Sequence, residues 1–388
     1  MKQKIALLIA CMLMLSALAG CTTGEKKTAV EPVATAIPAW TGKDVFETIT
    51  GLDPEKTVMS AEGVSIPLAL YCYWQVYNAS LMEYRVYTYA EDHPEFKSVM
   101  GTDGYLNWEA PFGDSGTLRA YLNRQTDETA RLYMAVEAVA AENGLTLDEN
   151  DQKTLEAERQ ELVKSLGSEE AFADYIAQMG LSRVNYDRIS AYSLWLDKLA
   201  VLAATEGSPL YIGVEDLNEY GLFTDHIYLS KVDLSSYKEL SKEAVAAKKQ
   251  KAEELARQIA AAQDPESAFA ALADEVSEDP YRADNPEGYI FTPGTMNAVY
   301  EAAAQALTPG QVSAVVEGET GFYIILRKDL KKRLNDDAEQ LSSLRDECLM
   351  DRLVARSKAM DVTAAPELEK LDVVTIYPAF VKLMRGQN

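Results

Sequence analysis

The sequence predicts an α+β chain: a long helical body interrupted, from Leu222 to Leu330, by a single segment of mixed helix and strand. Three observations carry this. From about Pro67 to Thr205 apolar residues recur at helical spacing between cap and stop signals. From Leu222 on, short β-branched and aromatic runs alternate with Ala-rich helical stretches and Gly/Pro turns. After Lys331 the helical pattern returns.

The chain opens as a targeting segment. Lys2 and Lys4 form a basic head, and Ile5 to Leu15 is an apolar core too short to span a bilayer as a mature helix. The segment ends in Leu18-Ala19-Gly20-Cys21, which resembles a lipobox; that resemblance implies cleavage before Cys21 and diacylation of its thiol. An ordinary secretory signal with a chance cysteine is the alternative. Residues 1–20 are therefore set aside from the fold, and residues 21–44, mixing Thr, Pro, Ala and Lys without periodicity, read as the lipidated cysteine and a flexible tether.

Next comes a helical domain over 45–221. Thr57 to Ile66 has strand–turn–strand character, and a helix dense in Tyr, Trp and Leu runs from about Pro67 to Tyr87. Tyr71, Tyr73, Tyr77, Tyr84, Tyr87 and Tyr89 crowd into or just past it. They cannot all share one helical face, so some are expected at the surface or in a groove. They fit either scattered surface aromatics beside a core or an adaptable surface for unfolded chains. Ala90 to Gly116 reads as an aromatic, acidic loop. Helices follow from Thr117 to Glu142, from Leu147 to about Leu166, over the Ser168 segment, and from Ser182 to Thr205.

The mixed segment, 222–330, starts with a strand holding a lone histidine, Asp225-His226-Ile227-Tyr228-Leu229. Helices follow at Lys242–Ala262 and after Asp264-Pro265, where Asp suits the N-cap and Pro the first helical position. Then come Ser277-Glu278-Asp279-Pro280, Phe291-Thr-Pro-Gly-Thr-Met296, an Ala-rich helix to Leu307, a turn, a strand from Val312 to Val316, and a buried strand Phe322–Leu326. Residues 331–388 give a charged amphipathic helix, Lys331 to Met360, and a tail in which Val373–Tyr377 reads as a strand.

Composition narrows the function. Of 388 residues, 37 are basic and 61 acidic, a net charge of −24, which becomes −26 once the two lysines of the targeting segment are removed. Such a balance disfavours nucleic acid and direct docking on anionic lipid. It suits basic unfolded clients or simply prevents self-association. With only two histidines, His93 and His226, and no Cys/His cluster, a metal site is not expected. No phosphate-cradling glycine loop occurs. Gly113-Asp114-Ser115-Gly116 matches a protease nucleophile segment in letters alone, in helical surroundings that do not suit it, and is read as a loop. Cys72 and Cys348 remain once Cys11 and Cys21 are accounted for; spacing leaves disulfide and free thiols both open.

The order of signals in 222–330 (strand with His, two helices, Ser-x-Asp, Phe-x-x-Gly-x-Met, helix, Leu-x-x-Gly-x-Val-Ser, Gly-aromatic-x-Ile-Ile) resembles the parvulin family of peptidyl-prolyl isomerases. With the lipobox and helical flanks, the whole chain is similar to the PrsA/SurA group of extracytoplasmic foldases. The resemblance implies a SurA-like helical chaperone lobe, built from 45–221 and 331–388, into which an FKBP-like α+β domain is inserted. It would bring Cys72 and Cys348 into one body. It also implies a membrane-anchored foldase on the extracytoplasmic face of the cell membrane that isomerises X-Pro bonds of newly secreted, unfolded proteins, without a cofactor; its oligomeric state is left open, a dimer among the options.

The parvulin pattern places His226 and Asp279 in the catalytic cluster, Met296, Tyr300 and Phe291 at the proline seat, and Tyr228 and Thr320 on neighbouring pocket positions. Taken alone, His226 reads as a satisfied core residue, Asp279 as a turn former before Pro280 and Met296 as plain core. Tyr323 departs from the pattern by standing where the family has a second histidine; its hydroxyl can still donate and accept, so the expected cluster is His226–Tyr323–Asp279. Asn285-Pro-Glu-Gly-Tyr-Ile likewise replaces the family's glycine loop. The Tyr323 change gives the alternative reading, a chaperone whose isomerase domain is inactive.

Overall fold

The computed structural model describes residues 44–89, 94–101, 106–236 and 238–384. The targeting segment, Cys21, the tether up to residue 43, and His93 lie outside the described residues. The chain is α+β and mostly helical. It divides into two units: one takes the chain up to Leu202 and again from Met350, the other is Ala203–Leu349.

In the first unit, α1 (Val45–Thr50) is capped by Asp44, whose carboxylate accepts from the Phe46 and Glu47 amides at 2.8 and 3.1 Å. Strands β1 (Thr57–Ala61) and β2 (Val64–Pro67) form the expected hairpin. Its turn is Glu62-Gly63, both with positive φ. Helix α2 (Leu68–Tyr89) is enclosed along its first half, where Leu68, Leu70, Cys72 and Trp74 are buried. The tyrosines divide as the face argument requires: Tyr71 and Tyr73 are buried, whereas Tyr84, Tyr87 and Tyr89 are 52%, 63% and 44% exposed.

After the short α3 (Pro94–Ser98) come α4 (Leu118–Glu142), α5 (Glu149–Leu166) and α6 (Glu169–Gln178), each opened by an oxygen-bearing side chain: Thr117, Asp148 and Ser168. The predicted Ser182–Thr205 helix is two, α7 (Arg183–Ser190) and α8 (Tyr192–Ala204). Gly180 at the end of α6 has φ +71°, and a Cβ there would lie 2.2 Å from the Phe46 ring, so the site requires glycine.

The second unit is wider than the segment 222–330. It adds α9 (Val214–Tyr220), α13 (Leu330–Asp336) and the start of α14 (Ala338–Ala359), so the predicted Lys331–Met360 helix is broken at Asp337. Its sheet is antiparallel throughout, in the order β4 (Tyr289–Phe291), β3 (Leu222–Ser230), β6 (Gly321–Arg327), β5 (Val316–Glu317). The expected Val312–Val316 strand shrinks to β5 and a single bridge from Val312 to Leu326. Alternation along the two central strands builds two cores. Ile227, Leu229, Phe322, Ile324 and Leu326 face α10 (Lys242–Ala261) and α11 (Pro265–Val276). Leu222 and Ile325 face the other way, toward Phe291 and α12 (Ala298–Gln305). α11 has the predicted Asp264 cap and Pro265 at its first turn.

The C-terminal segment returns to the first unit. β7 (Thr363–Ala364) pairs with β1, completing a three-stranded sheet, β2-β1-β7. Val373–Tyr377, expected as a strand, is the start of helix α15 (Val373–Met384). Its β-branched run favours a strand, but packing decides otherwise: Asp372 caps the Val374 amide, the Tyr377 hydroxyl donates to Glu83, and Phe380 stacks on Phe46. Cys72 and Cys348 are both buried and form no disulfide, and they belong to different units, the first and the second, instead of to one body.

Candidate functional site

The site grows out of residue alternation on β3. Leu222, Thr224, His226 and Tyr228 point to the sheet face that carries α12, and the register sets Tyr228 opposite Tyr323 and His226 opposite Ile325. His226 is 9% exposed and flanked on every side by partners. Its Nε2 lies 3.2 Å from Asp279 Oδ2, and its Nδ1 3.1 Å from the Tyr300 hydroxyl. With Nε2–H donating to the carboxylate, Nδ1 is placed to accept from the Tyr300 hydroxyl. The Tyr300 oxygen in turn accepts from the Thr224 hydroxyl at 2.8 Å. The Tyr289 ring stacks on the imidazole at 5.1 Å and 15°, while Tyr300 and Tyr323 meet it edge-on at 5.5 and 5.7 Å.

Asp279 is held at the end of α11 by the chain that follows. It accepts from the Tyr281 amide at 3.0 Å and from the Tyr289 hydroxyl, so the loop 279–289 is stapled at its base. Burial pushes its carboxyl up, but the hydrogen bonds from His226, Tyr289 and the Tyr281 amide prevail and hold it at about 2. Burial, with Asp279 alongside, pushes the Tyr289 hydroxyl well up, and burial does the same at Tyr300. Both phenols therefore stay protonated as donors. On the opposite face Asp225, 5% exposed, is neutralised by Arg282 at 2.7 Å, and Arg282 also binds Asp274.

Next to this polar line lies an apolar patch. Phe291 and Tyr300 are buried with their rings 5.9 Å apart, and Met296 and Tyr323 pack against them half-buried. Tyr228 is buried, its ring 5.0 Å from Tyr323, and its hydroxyl donates to the Thr320 carbonyl at 2.8 Å. Thr320 itself is exposed at the rim.

All eight residues singled out in the mixed segment thus fall in one region, but two assignments change. Tyr323 does not bridge His226 and Asp279. It sits one register pair away, opposite Tyr228, and its hydroxyl, raised by burial, answers to Thr320. Tyr300, expected as a wall of the proline seat, is 3% exposed and gives its hydroxyl to His226; the surfaces left open belong to Met296 and Tyr323. Sequence reading missed Tyr289 and Thr224. Alternation from His226 could have found Thr224, whereas Tyr289 reaches Asp279 through a loop fold that no periodicity encodes. Gly288 before it has φ +97°, and a Cβ there would lie 2.3 Å from the Thr224 carbonyl, so the loop closes on β3 only with glycine. Among the described residues no group of His, Cys, Asp and Glu could hold a metal ion.

Residues 229–329 match the family model of the rotamase, PPIC-type PPIase domain. The chain carries a PPIC-type PPIase domain. The chain is also similar to the foldase protein PrsA of Geobacillus kaustophilus (strain HTA426), 32% identical over 122 residues. That match takes in 31% of this chain and spans 41% of the relative's length. Among solved structures, peptidylprolyl isomerase (PrsA) from Bacillus cereus aligns over 74% of this chain and 97% of its own at 19% identity, with a TM-score of 0.32. The Bacillus anthracis PrsA aligns over 66% and 97% at 18% identity, with a TM-score of 0.26. The PPIC-type domain contains every residue of the polar line except Thr224 and His226, which stand just before the matched stretch on the same strand.

Proposed function

We propose that this chain is an extracytoplasmic foldase, tethered by lipid at Cys21, that isomerises X-Pro bonds of newly secreted polypeptides. The observation that carries the reading is the hydrogen-bonded line Tyr289–Asp279–His226–Tyr300–Thr224 laid against the half-buried Met296 and Tyr323. Rotation about an X-Pro bond faces a barrier of about 18–20 kcal/mol because twisting breaks amide resonance. No covalent step is required. A catalyst has to seat the proline ring away from water and offer fixed donors to the twisted amide. Met296, backed by Phe291, suits the ring and the half-buried Tyr323 hydroxyl suits the amide, while His226, engaged at both nitrogens, orders Asp279 and Tyr300 behind them.

The first unit adds surface for holding unfolded chains: exposed Tyr84, Tyr87 and Tyr89 on α2, and a cleft of about 840 Å³ walled by Leu145, Leu147, Leu155 and Trp195. Among the described residues no helix is long and apolar enough to cross a membrane. Tyr323 in place of a second histidine favours a second reading, a holding chaperone with a silent isomerase domain.

Proline-peptide isomerisation, followed by NMR exchange on the full chain, separates the two. Catalysis is expected. His226→Ala should lower kcat/KM about a hundredfold by misplacing the groups it orders, and Met296→Ala about tenfold through the lost ring contact. Rates equal to the uncatalysed reaction for the parent chain would leave only the chaperone.

A further inference from the structure

A second pocket adjoins the proline site and shares Thr320 with it. It has a volume of about 460 Å³ and lies between the chain leaving β3 and the β5–β6 hairpin. Val232, Leu240 and Val245 supply its apolar wall, and Glu239 and Glu319 stand exposed at its edge. Among the described residues, neither carboxylate has an ion-pair partner. Lys231, also in the lining, is already taken: its ammonium donates to Glu317 at 2.9 Å and to the Gly318 carbonyl at 2.8 Å, and it lies over the Phe322 ring. Lys249 is held by the same Glu317. The remaining cation of the lining is Lys242, against the two carboxylates Glu239 and Glu319.

The surrounding field has the same sign. From Gln258 to Leu326, the stretch that supplies α11, the stapled loop, α12 and the hairpin, the chain has eleven acidic residues and one basic residue, Arg282. Arg282 is consumed by Asp225 and Asp274. Lys248, on the facing helix, is paired with Glu278. Lys242 is the one cation of the lining with no ion pair among the described residues, whereas Glu319, Asp284 and Glu239 are all exposed to a basic peptide.

We infer that the pocket beside Thr320 is a side-chain subsite for lysine or arginine flanking the proline, so that the site selects X-Pro bonds in cationic sequence. An extended peptide advances about 3.4 Å per residue. A proline seated on Met296 and Tyr323 therefore brings a neighbouring side chain to Thr320, whose carbonyl accepts from the Tyr228 hydroxyl. The methylene stem of Lys or Arg lies along Val232, Leu240 and Val245 while its head reaches Glu239 and Glu319. The inference rests on the proline-isomerase reading of the site.

The test compares peptides that differ only in Lys, Ala or Glu on either side of one proline, with the full chain. Lys peptides are expected to show kcat/KM about five- to tenfold above Glu peptides, the gap narrowing as salt rises. Glu239→Gln with Glu319→Gln should bring that ratio close to one, and Lys242→Gln should widen it. Equal rates for Lys and Glu peptides, or a ratio untouched by the double variant, overturn the inference. Binding of the same fluorescent peptides is measured in parallel. Were no peptide isomerised at all, the enzyme reading would fall, and the Lys-to-Glu binding ratio would still uphold or overturn the subsite.

Discussion

At Asp279 three donors decide what burial alone would reverse. An enclosed carboxyl without partners titrates upward; here His226, Tyr289 and the Tyr281 amide bring it from 3.8 to about 2. A depressed folded-state value gives stability that is complete above the unfolded value, near pH 4, and is lost as pH falls from there through about 2. Urea midpoints of the parent chain should therefore drop between pH 4 and pH 2 more steeply than those of Asp279→Asn. Parallel slopes for the two proteins would mean that the carboxylate is not held as described. His226 and Asp279 were legible as members of an ordered motif, since a strand histidine and a Ser-x-Asp segment survive any loop change between them. Their direct contact was not, because the sequence placed Tyr323 between them and register placed it elsewhere.

Among the elements, the short strand β4 depends most on a single position. Gly288 precedes it with φ +97° and lies against the Thr224 carbonyl, and Tyr289, its first residue, both pairs with Thr224 and reaches Asp279. Gly288→Ala adds backbone strain and overpacking together, about 3 kcal/mol. The expected outcome is lost hydrogen-exchange protection at Thr224 and Tyr289, with α10 and α11 still protected, and isomerisation reduced with it. Unchanged protection of Tyr289 would show that the loop tolerates a Cβ. Helices with oxygen-bearing caps were legible nearly to the residue, because Thr117, Asp148, Ser168 and Asp264 satisfy amides locally. α15 was not: Val373-Val-Thr-Ile reads as a strand until α1 and α2 offer it a surface.

For the whole molecule, the first unit is assembled from both ends of the chain. Residues 361–388 supply β7 beside β1, the Leu371 carbonyl that accepts from buried Gln75 at 2.8 Å, and Asp372, which binds Arg119. Removing them takes from buried Gln75 its shorter bond, leaving the 3.4 Å contact to Asn123, and strips the β1 edge of its partner strand. A chain ending at Met360 should show rapid proteolysis and dye binding within residues 44–202; protection equal to that of the full chain would contradict this dependence. The sequence by itself determined the helices, the mixed segment, the acidic character and the residue types of the site, because periodicity, caps and charge act over a few neighbours. Only the tertiary structure decided which tyrosine hydroxyl meets which partner, that neither Cys72 nor Cys348 forms a disulfide, and that the tail is a helix. Those outcomes depend on strand register and on surfaces supplied by residues hundreds of positions away, which local pattern cannot carry.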